Sequence, residues 1–308
     1  MVALESALKT SLEELRMQML GVQVLFGFQL QGLFQETFLL LPPSVLIVDT
    51  IALAMVIIVL GLLLAVPCQH RIVEQGEASL RIFQLSMRYA NYALLPLAAM
   101  ISCDIYAATR LPFGAASSVV LASITFLVAV GAWYGAGIAL RKHETRLRGD
   151  SPLRETKTDL HPKIEQLLTE ARVILPGAQA LLGFQLIVMM SKAFGDLPSS
   201  AQRIHLIALM SLVLAVVLLI APAAIHRLAF EGRDNARLHA TGSRLIALAL
   251  LPMICAIACD VWVALFRLQG GQSVAEVGAL ATACLLLGAW YVLPLIVRAR
   301  VRYRAGQT

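Results

Sequence analysis

Eight apolar runs of about 20 residues, parted by short polar or turn-forming stretches, leave few folds open to this chain. They fall at about 16–36, 45–66, 87–109 and 117–140, then at about 172–190, 203–223, 243–266 and 274–297. At about 1.5 Å of rise per residue, each would reach across a hydrocarbon core of about 30 Å as a helix. A large soluble bundle would need a polar face on every helix, and several of these runs have none. Only 14% of the 308 residues are charged, where about 25% is usual for soluble domains. A helix satisfies its own backbone within one lipid-exposed segment, so the expected fold is all-α and polytopic. Pro42-Pro43, Gly76, and Pro112 with Gly114 supply the turns of the first four runs.

The chain is also duplicated. GVQVLFGFQL, from Gly21 to Leu30, returns as GAQALLGFQL from Gly177 to Leu186, a step of 156 residues (177 minus 21). The same step carries Glu14 to Glu170, His70-Arg71 to His226-Arg227, Arg88 to Arg244, and Cys103-Asp104 to Cys259-Asp260. One added residue then shifts Gly131–Tyr134 onto Gly288–Tyr291. Shared apolar composition does not produce matches at such scattered polar positions. The expected plan is a four-helix repeat over 1–140, a charged linker over 141–163 with Pro152 and Pro162, and a second four-helix repeat over 164–308. An even number of spans returns each half to its starting side, so the repeats should be parallel rather than inverted.

Charge placement sets the expected orientation. Of 25 Lys and Arg, all but Arg110, Lys192, Arg203 and Arg267 fall in the termini, the linker or the loops on the same side as the termini. Basic loops face the cytoplasm, which puts both termini there, in a bacterial cytoplasmic (inner) membrane. The same rule explains the net charge of +6 without nucleic acid as a partner. The first 19 residues lack the layout of a cleavable signal peptide. Val2, Leu4, Leu8, Leu12, Leu15 and Met19 share a helix side that would lie along the membrane surface. Cys68, Cys103, Cys255, Cys259 and Cys284 form no CxxC pair, and Cys255 with Cys259 reads as helix packing. No zinc spacing, P-loop, dinucleotide fingerprint or nucleophile with a base partner is visible. No catalytic residue, metal ion or cofactor is expected.

Ionisable groups inside the runs mark functional candidates, because insertion costs roughly 2.5–3.5 kcal/mol at a helix centre. Asp104 and Asp260 occur in matching contexts, ISCDIY and IACDVW. As a site they would bind a cation or a proton; the plainer expectation is a carboxylate reaching water or pairing with Arg110, Lys192 or Arg267. Counted from Arg88, Asp104 lies about 24 Å along its helix; counted from Arg16, Gln23 lies about 10 Å and Gln29 about 20 Å along theirs. Gln29 and Gln185 are therefore candidates to assist the aspartates. The alternative is inter-helix hydrogen bonding, worth about 0.6 kcal/mol. Gln23 and Gln29 stand about 240° apart around the helix and share no face, while Gly27, near the Gln23 face, admits close helix approach.

Glu14, Arg16, Arg71 and Arg88, repeated as Glu170, Arg172, Arg227 and Arg244, mark the inner ends of the spans. They suit an inner gate of ion pairs or ordinary interfacial anchoring. His70 and His226 read as solvated interfacial histidines. Pro96 and Pro252 would curve or kink the third span of each half. Trp133-Tyr134 and Trp290-Tyr291 read as anchors or packing residues.

The run EELRMQMLGVQVLFGFQL, followed by AVPCQHR, resembles an uncharacterised family of small four-helix bacterial membrane proteins often named sodium:proton antiporter. TEARVILPGAQALLGFQL and APAAIHR fit that pattern better, since the first copy shifts its proline by one position at Val66-Pro67. The resemblance implies two fused family units. The leading expectation is a secondary transporter or ion pathway, with sodium:proton antiport as its most specific form. The alternative is a non-transporting membrane scaffold or accessory subunit. The expected partners are the lipid bilayer, monovalent cations or protons, and a second copy or a membrane partner protein.

Overall fold

A computed structural model describes residues 4–135, 160–228 and 236–305, and every regular element among them is helical. In chain order these are α1 (Leu4–Gly32), α2 (Pro43–Ile72), α3 (Leu80–Val130), α4 (Leu160–Met189), the single turn α5 (Lys192–Gly195), α6 (Ser199–Leu228), α7 (Ala236–Gln269), α8 (Gln272–Leu287) and α9 (Leu293–Ala305). A 3₁₀ turn, Glu36–Leu40, follows α1. Single π turns extend α3 (Gly131–Gly135) and join α8 to α9 (Gly288–Val292). The expected linker lies mostly outside the described residues, and α4 begins just before its end. Six stretches have the length and apolarity to cross a membrane: Pro43–Ile72, Leu80–Gly135, Pro162–Met189, Ser199–His226, Ala236–Gln269 and Gln272–Val301. This is the build of a multi-pass membrane protein.

The 51 residues of α3 would span about 75 Å if straight, more than twice a bilayer core. They do not run straight. Gly114, at φ 77° and ψ 176°, takes a backbone conformation open to glycine and strained for any side chain. The Tyr134 hydroxyl then donates to the Asn91 carbonyl at 2.7 Å. Residues so far on either side of Gly114 can meet only if the helix doubles back there. The other half does the same at Gly270, φ 65°, where the Tyr291 hydroxyl donates to the Ala247 carbonyl. Each tyrosine fastens the fourth apolar run of its half to the third.

The N-terminal side does not lie along a membrane surface. Leu4, Leu8, Leu12, Leu15 and Met19 are all buried, because α1 continues unbroken from them into the first apolar run and packs that side against α4, α2 and α3. The duplicated motif sits where α1 crosses α4. Phe28 and Phe184, equivalent residues of the two copies, meet with ring centroids 4.7 Å apart. Gly27 lies under the Phe184 ring, and the Gln23 side chain lies across Gly177. Further along, α2 touches α7 and the Gly288–Val292 turn. There the buried Trp290 indole donates to the Gly61 carbonyl at 3.1 Å.

The duplicated glycines are not interchangeable. A Cβ at Gly177 would stand 2.9 Å from the Gln23 Cβ and collide with its amide, whereas a Cβ at Gly21 meets nothing within 4 Å. Gly177→Val should lower stability by about 1–3 kcal/mol through overpacking, relative to Gly21→Val. Thermal unfolding of both variants in the same detergent measures that difference; equal melting temperatures would contradict this crossing.

Candidate functional site

We designate as the near end of the bundle the end where α1 and α4 begin, and as the far end the one where they finish. Toward the far end each half builds the same contact. Gln29 Nε2 donates to Asp104 Oδ1 at 2.8 Å, and Gln185 Nε2 donates to Asp260 Oδ2 at 2.7 Å. Both pairs span 75 positions in sequence, joining the first run of a half to its third. Neither aspartate pairs with Arg110, Lys192 or Arg267, one of the two forms of the plainer sequence reading; the other, a carboxylate reaching water, stays open for Asp104, which is half-buried at a cavity. The Arg267 Nε donates to the Leu33 carbonyl at 3.2 Å instead, with its guanidinium 5.5 Å from the Phe38 ring. A glutamine amide one helix away supplies the nearer donor.

The two pairs sit in different surroundings. Gln29 and Asp104 line a cavity of about 600 Å³ together with Asp49, near the start of α2. Gln35, Thr37 and Phe38, in the turn after α1, cover part of it, and Ala264 and Leu268 of α7 close one side. The step of 156 residues carries Asp49 onto His205. His205 Nε2 lies 3.1 Å from the Gln185 carbonyl, its Nδ1 is 3.9 Å from Asp260 Oδ1, and its ring meets Phe194 edge-on at 5.2 Å. Asp260 and Gln185 are each 1% exposed. The first pair therefore faces a room, and the second is sealed among its own side chains. Asp49 and His205 complete the two constellations and escaped the sequence reading. The same offset that aligned the aspartates would have found them.

At the near end a third carboxylate is buried. Glu170, at the start of the first apolar run of the second half, is 0% exposed. Its Oε1 meets His70 Nδ1, and its Oε2 accepts from Arg71 Nε. Arg71 Nη1 also donates to Ser243 Oγ of α7 at 3.1 Å. His70 is thus no solvated interfacial residue. It is fully buried, because α2 runs on past its apolar stretch and carries His70 and Arg71 into contact with α4. Nearby, Arg81 donates to Glu74 at 2.6 Å and to Gln69 at 3.0 Å.

The structure does not gather the other candidates. Of the inner-end set, Glu14, Arg88, Arg172 and Arg244 are exposed and Arg16 is half-buried, while the Arg227 side chain lies outside the described residues. Gln23 is buried in the α1–α4 crossing, but its repeat partner Gln179 is exposed. Among those of the eight whose side chains are described, only Arg71 and Glu170 combine into an ion pair. Pro96 and Pro252 lie inside α3 and α7.

The comparisons with known proteins agree with the duplication. No curated protein and no solved structure matches the chain. A family of unknown function (DUF6328) matches it twice, over residues 4–136 and 154–294, and that match brings no antiporter activity with it. The chain belongs to this family, and carries two copies of its unit.

Proposed function

We propose that the protein is a secondary transporter that exchanges a cation for protons at the Gln29–Asp104 site. The observation that carries this reading is the Gln-to-Asp pair built identically in both halves, with one copy opening into a cavity that holds a second carboxyl group, Asp49. Intramembrane carboxyl groups facing a cavity are the usual means of carrying ions across a bilayer. Asp104 binds the cation or proton, and the Gln29 amide fixes its orientation. Asp49 adds a second acceptor. The sealed Gln185–Asp260 pair, with His205 beside it, holds α4, α6 and α7 in register.

On this reading the chain crosses the membrane eight times, as two parallel four-helix repeats. Its α3 and the α7–α8 pair each make two passes, and α1 makes one. Both termini lie in the cytoplasm of a bacterial cell, by the placement of lysine and arginine. The cavity then opens outward, and the His70–Glu170–Arg71 cluster closes the cytoplasmic end. A second reading, a non-transporting scaffold or accessory subunit, draws its support from the dry Gln185–Asp260 contact. Such a bond ties helices together without needing a ligand.

Two experiments separate these readings. Purified protein in liposomes with an imposed pH gradient should release protons when sodium, potassium or a lipophilic monovalent cation is added. Asp104→Asn should lower that release at least about tenfold, as loss of a charge-assisted contact worth about 1.4 kcal/mol or more. No cation-driven proton movement by the wild-type protein at any pH tried would leave the scaffold reading standing. The near-end closure makes its own prediction. Glu170→Gln strands a buried Arg71 and should cost about 3–5 kcal/mol, whereas Glu14→Gln, at the exposed repeat position, should stay within about 0.5 kcal/mol. Thermal unfolding of the two variants decides it.

A further inference from the structure

We infer that the far-end cavity binds an amphipathic organic cation, with an apolar, aromatic body and a single positive charge. This rests on the transport reading for its biological use, but the binding argument stands on the cavity itself. About 600 Å³ equals the share of liquid of about 20 water molecules at about 30 Å³ each, far beyond a dehydrated sodium ion. It falls inside the range of about 300–1,000 Å³ that small organic ligands occupy. The lining also suits such a ligand. Leucines, alanines and two phenylalanines, Phe28 and Phe38, form most of the wall, and the acidic groups are Asp49 and Asp104. Among the described residues that line it, none is a lysine, arginine or histidine.

The balance of charge points the same way. Among the described residues neither Asp49 nor Asp104 has a cationic partner, and the Gln29 side-chain oxygen, Oε1, is buried with no hydrogen-bond donor. Three acceptor groups thus belong to residues lining a space whose remaining walls are mostly apolar. A bare monovalent ion takes a close shell of oxygens and would leave most of a room of about 600 Å³ unfilled. An organic cation places its charge against the carboxyl groups and its body against the leucines and rings. Aromatic faces add a cation–π attraction, as the Phe38 ring already does for Arg267.

The second half shows what the site loses when it is not kept open. His205 takes the place of Asp49, and the aspartate is sealed. The acceptor groups of the inferred ligand site therefore come from the first half, with Ala264 and Leu268 of the second closing one side.

Tetraphenylphosphonium is a suitable probe, with neutral triphenylphosphine oxide as its uncharged counterpart. Isothermal titration of detergent-purified full-length protein should show saturable binding of the cation and none of the oxide. Asp49→Asn together with Asp104→Asn should weaken the cation at least about tenfold. The asparagine side chain opposite Gln29 still offers an acceptor oxygen, so the fold is retained, and an unchanged melting temperature checks this. Asp196→Asn, an exposed carboxylate outside the cavity, should bind as the wild type does. Asp104→Glu, which keeps the charge, should recover most of the affinity and guards against a folding defect in the double variant. No binding, equal binding of the oxide, or affinity indifferent to the double substitution would overturn the inference. Sodium-driven proton release in liposomes would survive that outcome. Conversely, binding without any cation-driven flux would keep the ligand site and remove the transporter.

Discussion

A carboxylate placed in an apolar helix bundle has to be answered from within the protein, because lipid offers it no hydrogen bond. Glu170, Asp260 and Asp104 impose that condition here, and the bundle is arranged around the answers. Glu170 is met by a guanidinium and an imidazole. Asp260 is met by one amide, with a histidine at 3.9 Å. Asp104 is met by one amide and a cavity. The first is compensated in full, the second in part, and the third leaves room for something from outside. Each answer also joins distant parts of the chain: α2 to α4, α4 to α7, and α1 to α3. Polar contacts therefore choose which apolar faces meet, where apolar packing in lipid has little preference of its own.

Duplication followed by divergence explains why these answers differ. Identical residues at matching positions have reached different fates. Glu170 is buried and Glu14 exposed; Gln23 is buried and Gln179 exposed. A strict two-fold arrangement would give each pair one environment. The crossing of α1 and α4 at Phe28 and Phe184 keeps the trace of such an axis, but the glycines beside it already break the symmetry. Gly27 lies under the Phe184 ring, whereas Gly183 meets nothing. Replacing Asp49 by His205 goes further, since a histidine can lie against an aspartate where a second carboxylate would repel it. One half keeps an open acidic room, and the other fills the equivalent space with its own side chains.

Much of this could be read from the residues, and the exceptions have physical reasons. The helices, the break at Gly114 and the repeat follow from apolar length, glycine and a constant offset, all of which are local or self-comparative signals. The depths counted for Gln29 and Asp104, about 20 and 24 Å from the same side, were close enough to foretell a contact. That they hydrogen-bond could not be read, because helix rotation is set by packing and not by count. The burial of His70 was hidden for a similar reason. A histidine–arginine pair after an apolar run looks like any basic boundary until Glu170 of α4 is found to reach it. The amphipathic start of α1 misled in the other direction. A helix side rich in leucine suits a membrane surface and a protein neighbour equally well, and here the neighbour was α4.

The near-end cluster bears on what a transport cycle would need. On the proposed transport reading, the arrangement with the far-end cavity open and Glu170 bound to Arg71 and His70 would be one side of such a cycle. Opening the other side means parting α2 from α4, and parting a buried ion pair without compensation costs about 3–5 kcal/mol. Water entering the near end would offset part of that, by hydrating the three side chains as they separate. A ligand at Asp104 can supply the remainder only if it binds the inward arrangement more tightly than the outward one, since equal affinity shifts nothing. Both α2 and α3 would transmit that difference, because α2 carries Asp49 at one end and His70 and Arg71 at the other. A 30-residue helix that reaches both sites would carry a movement of its cavity end to its ion-paired end. The coupling thus needs no relay of side chains through the bundle, only a helix long enough to belong to both sites.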